Sequence, residues 1–442
     1  MNLASGKVKK TLLWFALPLI VSLLCEQLYN IVDTIIVGRF LGVDELSAVG
    51  NAGSIIQVLL VICGGMEMGC EIVFAKYAGQ WKTNEFIQSV LSILCFCTIG
   101  AITLSGIGLL GKELVCHAMN IPEEILPLLY EYYQIYVGCI AVSFLYAVGR
   151  AVLLAMGNSK TCMFLVLFTS GLNIVLDLLL ICVFTLGVSG AAIATILSQS
   201  VGMVAVGFFL IKHTGYHFQV GINATLFMKK MKEVLHIAIP SMVQQFAITF
   251  SSLLVMAVVN PFGTQIISGY IASEKIMMFT LIPIVGLSMA ISMFASANET
   301  QMGRIKEGFA FLNQIMVGYI TVVVAIVVFF PQWMVAPFID VQQNVVAFSF
   351  ARNYLSCSIV TFYFSSIKYM NEGLLRGFSK MKHFLVSNLS DLFVKVAFAI
   401  LLVSWLGTQV FWMATLSGRL VSVTISLFLL FRMQFFSFQK KE

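Results

Sequence analysis

The stretch LLWFALPLIVSLLCEQLYNIVDTIIV, residues 12–37, decides the fold class of this chain. It is longer than the roughly 20 mostly apolar residues that an α-helix needs to cross a bilayer. Three lysines precede it, as in a signal peptide, but the run is too long for a signal-peptide core and no small-residue cleavage site ends it. We therefore expect an uncleaved first transmembrane helix, which carries two acids, Glu26 and Asp33.

Runs of the same kind fill the rest of the chain. Of its 442 residues, 60% are hydrophobic and only 10% are charged, and the mean hydropathy is +0.97. Soluble domains carry about 25% charged residues, so lipid rather than water must solvate most of this surface. We expect an all-α integral membrane protein with twelve transmembrane helices. They are expected near residues 14–37, 52–75, 88–110, 132–156, 161–183, 189–211, 235–259, 268–295, 309–330, 346–370, 384–405 and 410–432.

The distribution of positive charge predicts the orientation of these helices. If both termini are cytoplasmic, the cytoplasmic segments hold eighteen Lys and Arg residues, whereas the opposite loops hold Arg39 and Lys112, with Arg352 near a boundary. Cytoplasmic loops of membrane proteins carry such an excess of basic residues. We therefore expect both termini in the cytoplasm, which also requires an even number of spans.

The two halves of the chain repeat each other at an offset of 220–222 residues. Leu17-Pro18 falls on Ile239-Pro240, and Gly187 falls on Gly407. Six helices separate the copies, so both halves keep one orientation, as in transporters whose parallel repeats rock about a cleft to give alternating access. We expect two pseudo-symmetric six-helix lobes. The expected parts are an N-lobe at residues 1–212, a cytoplasmic linker at 213–233 and a C-lobe at 234–442.

Four stretches in the first half carry a resemblance to a known family. The chain reads YNIVDTIIVGR at residues 29–39 and LLAMGNSK at residues 153–160. It continues with LNIVLD at residues 172–177 and GVSGAAIAT at residues 187–195, and the spacing of these last two is the most specific feature. With these motifs the chain resembles the prokaryotic branch of the multidrug and toxic compound extrusion (MATE) family. In the second half the resemblance rests on the internal repeat.

The resemblance implies a two-lobed exporter of the prokaryotic inner membrane that moves cationic or amphipathic organic compounds outward in exchange for protons or sodium ions. It also implies a cation-coupling site in the N-lobe, made by Asp33, Asn173, Asp177 and Thr195. Arg150 departs from the pattern, since it stands about where a neutral polar residue of the fourth helix contributes in relatives. Whether the fourth helix contributes to the cation-coupling site therefore stays an open question.

Topology alone brings three of these residues to a similar depth. Spans one and five run outward and span six runs back, so Asp33, Asp177 and Thr195 all lie in the external half. An acid at membrane depth faces a partner, a cavity or an ion. Two carboxylates in a low-dielectric pocket repel each other, so one is expected to hold a proton near neutral pH or to exchange it for sodium on oxygen ligands. The alternative is a structural role, in which Asn173 and Asp177 bridge helices.

Other polar residues of the N-lobe are candidates for the cleft or for gating, namely Glu26, Asn30, Glu67, Glu71 and Arg150. Glu67 and Glu71 are four residues apart and share one face of span two. Arg150 projects from span four at the same, cytoplasmic level. A structural or gating ion pair there is at least as well supported as a contact with the transported compound.

The second half carries its intramembrane charge differently. Each of its acids has a basic neighbour on the same helix, the expected pairs being Glu274 with Lys275, Lys368 with Glu372, and Asp391 with Lys395. Neutralised pairs make poor cation sites. Span seven offers Gln244 and Gln245 where some relatives carry an acid. We therefore expect no sodium site in the C-lobe.

These observations predict a secondary-active antiporter that works as a monomer. The sequence contains no phosphate-binding loop and no catalytic motif, so ATP-driven pumping and enzymatic activity are not expected, nor is a cofactor, a nucleic-acid partner or any metal other than sodium at the coupling site. The alternative is a lipid-linked saccharide flippase of a related fold. It would need a uniformly basic cleft, and the residues that could supply one are Arg150, Lys275, Lys368 and Arg419.

Overall fold

The computed structural model describes residues 3–41, 43–79, 83–118, 123–214, 224–337, 345–433 and 435. Within these ranges all regular structure is helical, because a backbone in lipid must satisfy its hydrogen bonds inside its own segment. The helices are α1 (Val8–Phe40), α2 (Val43–Gly79), α3 (Thr83–Ala118), α4 (Leu126–Gly138), α5 (Ile140–Ala155), α6 (Ser159–Asp177), α7 (Gly187–Thr214), α8 (Ala224–Val259), α9 (Thr264–Ala297), α10 (Met302–Phe329), α11 (Pro331–Val335), α12 (Val345–Cys357), α13 (Ile359–Gly377), α14 (Met381–Leu406) and α15 (Val410–Arg432).

The predicted all-α membrane fold is confirmed. Among the described residues, nine stretches are long and apolar enough to cross a membrane, and two bent helix pairs raise the number to eleven. One of the nine stretches, Met381–Arg432, contains both α14 and α15, which pack along each other. The described helices are therefore consistent with the twelve predicted spans. The part of the predicted linker at residues 215–223 lies outside the described residues.

Spans four and ten are broken, although their hydropathy predicts continuous helices. The pair α4 and α5 bends by 48° at Cys139, and the pair α12 and α13 bends by 53° at Ser358. At both breaks the backbone N–H of the break residue is shared between the carbonyls three and four residues earlier, as happens at helix ends. Hydropathy misses the bend because the residues on both sides of it are equally apolar.

The internal repeat is visible in the backbone as well. Gly187 precedes the first full turn of α7 with φ +59°, and Gly407 precedes α15 with φ +54°. Residues with a side chain rarely adopt this left-handed conformation. Glycine is therefore required at the same point of both copies, where the chain leaves one span and enters the next.

The chain divides into two units. The first contains Trp14–Met242, and the second contains Val243 onward together with Ser5–Leu13. In the first unit a buried apolar core lies between α1, α2, α4 and α7, and a smaller one joins α5, α6 and α7. The predicted lobe boundaries at residues 212 and 234 stay predictions.

Large apolar side chains point outward from several helices. On α3, Leu110 is 90% exposed, and on α14, Trp405 is 86% exposed. Soluble monomeric proteins rarely expose so many large apolar side chains to water, whereas a membrane protein exposes them to lipid. The outward faces of these helices are therefore suited to acyl chains, which leaves the polar residues inside each unit.

Candidate cation site

Three helices of the first unit position the predicted coupling residues. Asp33 lies on α1, Asn173 and Asp177 lie one turn apart on α6, and Thr195 lies on α7. Asp177 is the last residue of α6 before a π-helical turn at Leu178–Val183. Such turns are rare and recur at functional sites because they change which face a side chain presents.

The structure brings these four residues together. The carboxyl groups of Asp33 and Asp177 lie close enough to interact electrostatically. In the amide orientation that satisfies both ends of Asn173, its Nδ2 donates to Asp177 Oδ2 at 2.9 Å and its Oδ1 accepts from the backbone N–H of Thr195 at 3.2 Å. Hydrogen bonds therefore join α6 to α7, and Asp33 brings α1 beside them.

Two oxygens of this group are buried without a partner. Among the described residues, neither Asp33 Oδ1 nor Asp177 Oδ1 receives a hydrogen bond, and neither side chain is in an ion pair. Asp177 is fully buried. Buried polar groups are normally satisfied, and an unsatisfied carboxylate oxygen is costly. The two free oxygens can accept a proton or a cation, which is the chemistry that a coupling site needs.

Tyrosines surround the two carboxyl groups. Tyr29 lies beside Asp33 and Thr195, and Tyr132 and Tyr136 stack in the same region at 6.1 Å between ring centroids. Tyr132 and Tyr136 are buried, and such side chains combine an apolar ring with a polar hydroxyl group. The site is therefore both enclosed and polar.

A second group of charges lies in the same unit. Arg150 on α5 contacts Glu26 of α1 at 3.3 Å and Glu67 of α2 at 3.1 Å, and its guanidinium lies 5.2 Å from the centre of the Tyr146 ring. Because two carboxylates share one guanidinium, these three charges sum to one negative charge. The fourth span thus contributes an ion-pair cluster rather than a neutral ligand.

A cavity of about 50 Å³ connects the two groups. Glu26 and Arg150 of the charged group line it, and so do Tyr29 and Asn173 of the proposed coupling site. A cavity of this size and polarity holds a few water molecules. Its other lining residues are Tyr146, Val166, Thr169, Ser170, Ser198 and Gln199.

Two further predicted residues, Asn30 and Glu71, differ in their burial. The side chain of Asn30 is exposed on α1, although it shares a face with Glu26 and Asp33 in the sequence pattern. Glu71 is buried on α2, one turn beyond Glu67. Neither lines the cavity.

Sequence reasoning missed the tyrosines and Gln199. Tyr29 precedes Asp33 by four residues and Gln199 follows Thr195 by four, so helical periodicity places each beside a predicted residue. Gln199 accepts a hydrogen bond from Ser143 at 2.5 Å and lines the cavity. The four-residue spacing could therefore have identified Tyr29 and Gln199 from the sequence.

The second unit pairs its buried charges across helices. Lys368 on α13 donates to Asp391 on α14 at 2.5 Å and lies 3.6 Å from Glu372, while Arg419 on α15 also donates to Asp391. The predicted pairing of Asp391 with Lys395 is therefore corrected, because helix packing brings two cations from neighbouring helices closer. Gln244 of α8 donates to Asn388 at 2.8 Å, and Glu274 accepts from Tyr354 at 2.7 Å.

The internal repeat corresponds to a known family unit. The model of the MatE family matches the chain twice, at residues 18–179 and 240–401. The two matches begin at Pro18 and Pro240, the offset of the internal repeat, and together they cover more than half of the chain. The repeat therefore consists of two copies of the family's own unit.

Individual proteins agree with the family match. A probable multidrug resistance protein of Bacillus subtilis, YpnP, is 27% identical over 417 residues, which are 92% of this chain and 91% of that protein. An outward-facing multidrug resistance MATE family transporter of the MOP superfamily has a TM-score of 0.88 at 22% identity, covering 99% of this chain and 98% of that one. A MOP superfamily transporter from Pyrococcus furiosus has a TM-score of 0.89 at 22% identity, with the same coverage of both chains.

The family match favours a multidrug efflux transporter over the lipid-linked saccharide flippase. Three of the four cations proposed for a basic flippase cleft, Arg150, Lys368 and Arg419, are instead bound by carboxylates. These relatives are transporters, not enzymes. With its double family match, its fold and its apolar spans, the chain is an integral membrane protein that belongs to the MATE family of transporters.

Proposed function

We propose that this chain is a secondary-active antiporter of the prokaryotic cytoplasmic membrane, with both termini in the cytoplasm. It exports small cationic or amphipathic organic compounds by alternating access, in exchange for H+ or Na+. Asp33, Asn173, Asp177 and Thr195 form the coupling site, and the chain acts as a monomer built of an N-lobe and a C-lobe.

One observation carries this proposal. Asp33 and Asp177 lie together in the interior of the first unit, and each keeps a buried carboxylate oxygen without a hydrogen-bond donor among the described residues. An ionisable group held at membrane depth without a counter-ion is a functional site by default. A structural acid would be paired, as Asp391 is in the second unit.

An ion at this site couples to transport by changing the relative stability of two states. With the ion bound, the charge of the two carboxylates is reduced and the helices α1, α6 and α7 can pack closely around them. Without the ion, two negative charges repel at short range, which favours an arrangement that opens the site. A ligand shifts such an equilibrium only by its differential affinity for the two states.

The substrate class rests on the relatives. Their names describe multidrug resistance or multidrug transport. A transported organic cation and a coupling cation compete for the same negative charge, so one can displace the other. This competition is the simplest form of antiport.

The proposal is tested by ethidium efflux from energised everted membrane vesicles. The parent is compared with Asp33→Asn and Asp177→Asn under an imposed proton gradient and an imposed sodium gradient. We expect transport by the parent and its loss in both variants at equal expression. Glu113→Gln, a change to an exposed acid of α3, is the matched control and should transport as the parent does.

Two results contradict the proposal. Undiminished transport by Asp33→Asn and Asp177→Asn would assign the two carboxylates a structural role. If the parent moves ethidium in neither gradient, a lipid-linked saccharide becomes the substrate to test next.

A further inference from the structure

Arg150 lines the same cavity as Asn173, and Asn173 is bound to Asp177. The cavity therefore exposes the proposed coupling site to one fixed cation of the protein itself. The guanidinium is held on two sides by Glu26 and Glu67 and covered by the Tyr146 ring, and its side chain is only 14% exposed. Contacts from α1, α2 and its own helix α5 therefore fix its position.

A guanidinium discriminates between ions through its hydrogen-bonding groups. It carries five N–H donors and no acceptor, and it stays charged at every accessible pH. Hard metal cations are bound by sets of oxygen ligands, whereas a proton needs only one or two oxygens. Arg150 thus lines the cavity with groups that cannot ligate sodium.

Arg150 also holds two carboxylates that would otherwise serve as ligands. Glu26 lines the cavity and Glu67 lies beside it, and both accept from the guanidinium. Coulomb repulsion by Arg150 acts on a proton and on sodium alike, so repulsion alone does not choose between them. The removal of oxygen ligands, by contrast, weakens the binding of sodium without weakening that of a proton.

The coupling site itself is arranged for a proton. The carboxyl groups of Asp33 and Asp177 lie close enough to interact, and a single proton bound by either one removes the repulsion between two negative charges. The Asn173 oxygen accepts from the Thr195 backbone and its amide group faces Asp177 as a donor. Asn173 therefore presents N–H, not oxygen, to the ion position.

We infer that Arg150 is a specificity-determining residue that makes this transporter proton-coupled by withholding oxygen ligands from sodium. The inference rests on the proposed function and deepens it, since it names the coupling ion. It also gives the departure of Arg150 from the family pattern a physical role.

Sodium binding tests the inference without any transport. Thermal unfolding of the purified protein in detergent is measured in equal concentrations of sodium, potassium or choline chloride, because a ligand that binds the folded state raises the unfolding temperature. We expect no sodium-specific shift for the parent. Arg150→Gln, which supplies an oxygen and releases both carboxylates, should gain a sodium-specific shift and bind sodium about 10-fold more tightly or better.

Two further variants separate ligand chemistry from charge and from misfolding. Glu67→Gln with Arg150→Gln keeps the net charge of the cluster and leaves only Glu26 charged, so it folds with less uncompensated charge than Arg150→Gln. It should also gain sodium binding. Arg150→Lys keeps the charge and offers no acceptor, so it should bind sodium no better than the parent.

Each outcome decides the inference. A sodium-specific shift in the parent, or none in either Gln variant, would overturn it, as would equal gains in Arg150→Lys and Arg150→Gln. Ethidium transport by the parent, driven by a sodium gradient and not by a proton gradient, would also overturn it while supporting the proposed function. Absence of all ethidium transport would instead remove the proposed function, and the binding result would still stand.

Discussion

The two halves of this transporter derive from one repeat but hold their buried charge in opposite ways. In the first unit, Asp33 and Asp177 face each other, and neither is in an ion pair among the described residues. In the second unit, Lys368 and Arg419 converge on Asp391, which is 2% exposed. The same architecture thus contains an open pair of acids and a closed network of ion pairs.

This difference separates a site that exchanges an ion from one that holds helices together. A closed network loses much when one partner is removed, because the remaining charges are left buried and uncompensated. An open acid pair loses little stability, because one oxygen of each acid already lacks a partner. Substitutions of buried acids in both units test this difference.

The largest effect on stability is expected for Asp391→Asn. This change leaves Lys368 and Arg419 without their shared carboxylate in the second unit. We expect the free energy of unfolding to fall by about 3–5 kcal/mol, measured by denaturant or thermal unfolding of the purified protein. A loss as small as that of an exposed acid would show that the network does not hold the unit together.

A smaller effect is expected for Gly418→Ala on α15. A Cβ at this position would lie 2.5 Å from Asp391 Oδ1 and 2.6 Å from the Asp391 backbone oxygen, so the network must shift. We expect a loss of about 1–3 kcal/mol in the same unfolding measurement. Gly207→Ala on α7 has no atom within 4 Å of the added Cβ and is the control, which should be neutral or slightly stabilising. Equal effects of the two changes would contradict the packing argument.

For Asp177→Asn the sign of the stability change is expected to reverse. The variant removes a buried carboxylate whose Oδ1 lacks a partner. The free energy of unfolding should therefore rise by about 1 kcal/mol or stay unchanged. Ion-driven ethidium transport should be lost at the same time. A destabilisation comparable to that of Asp391→Asn would mean that the acid pair is structural and that the contrast between the units is wrong.

The smallest effect is expected for Glu26→Gln. Its side chain is 41% exposed, and Arg150 keeps Glu67 as a partner. Partly exposed ion pairs contribute about 0–1 kcal/mol, so the unfolding temperature should barely change. Glu67→Gln, at a side chain that is 23% exposed, is the companion variant and should cost more. The reverse order would mean that Glu26 is the main anchor of Arg150.

Much of the candidate site was predictable from local pattern. The spacing of Asn173 and Asp177 placed both on one helix face, and topology put Asp33 and Thr195 at the same level. The structure does bring the four together. Asn30 shows the limit of periodicity, because it shares a face with Asp33 in the pattern but has an exposed side chain.

The bends at Cys139 and Ser358 were not predictable in the same way. Both lie in apolar segments without an internal proline, so neither composition nor hydropathy marks them. A shared backbone donor at each position shows how the helix is interrupted. Such irregularity depends on what packs against the helix.

By itself the sequence determined that the chain crosses a membrane as helices, that it is a repeat of one unit, and that its first half carries the family's acids. Only the tertiary structure decided which charges meet: Arg150 with Glu26 and Glu67, and Asp391 with Lys368 and Arg419 instead of Lys395. Hydropathy and helical period are properties of neighbours along the chain. Ion pairing depends on the few ångströms between side chains of different helices, and packing alone sets that distance.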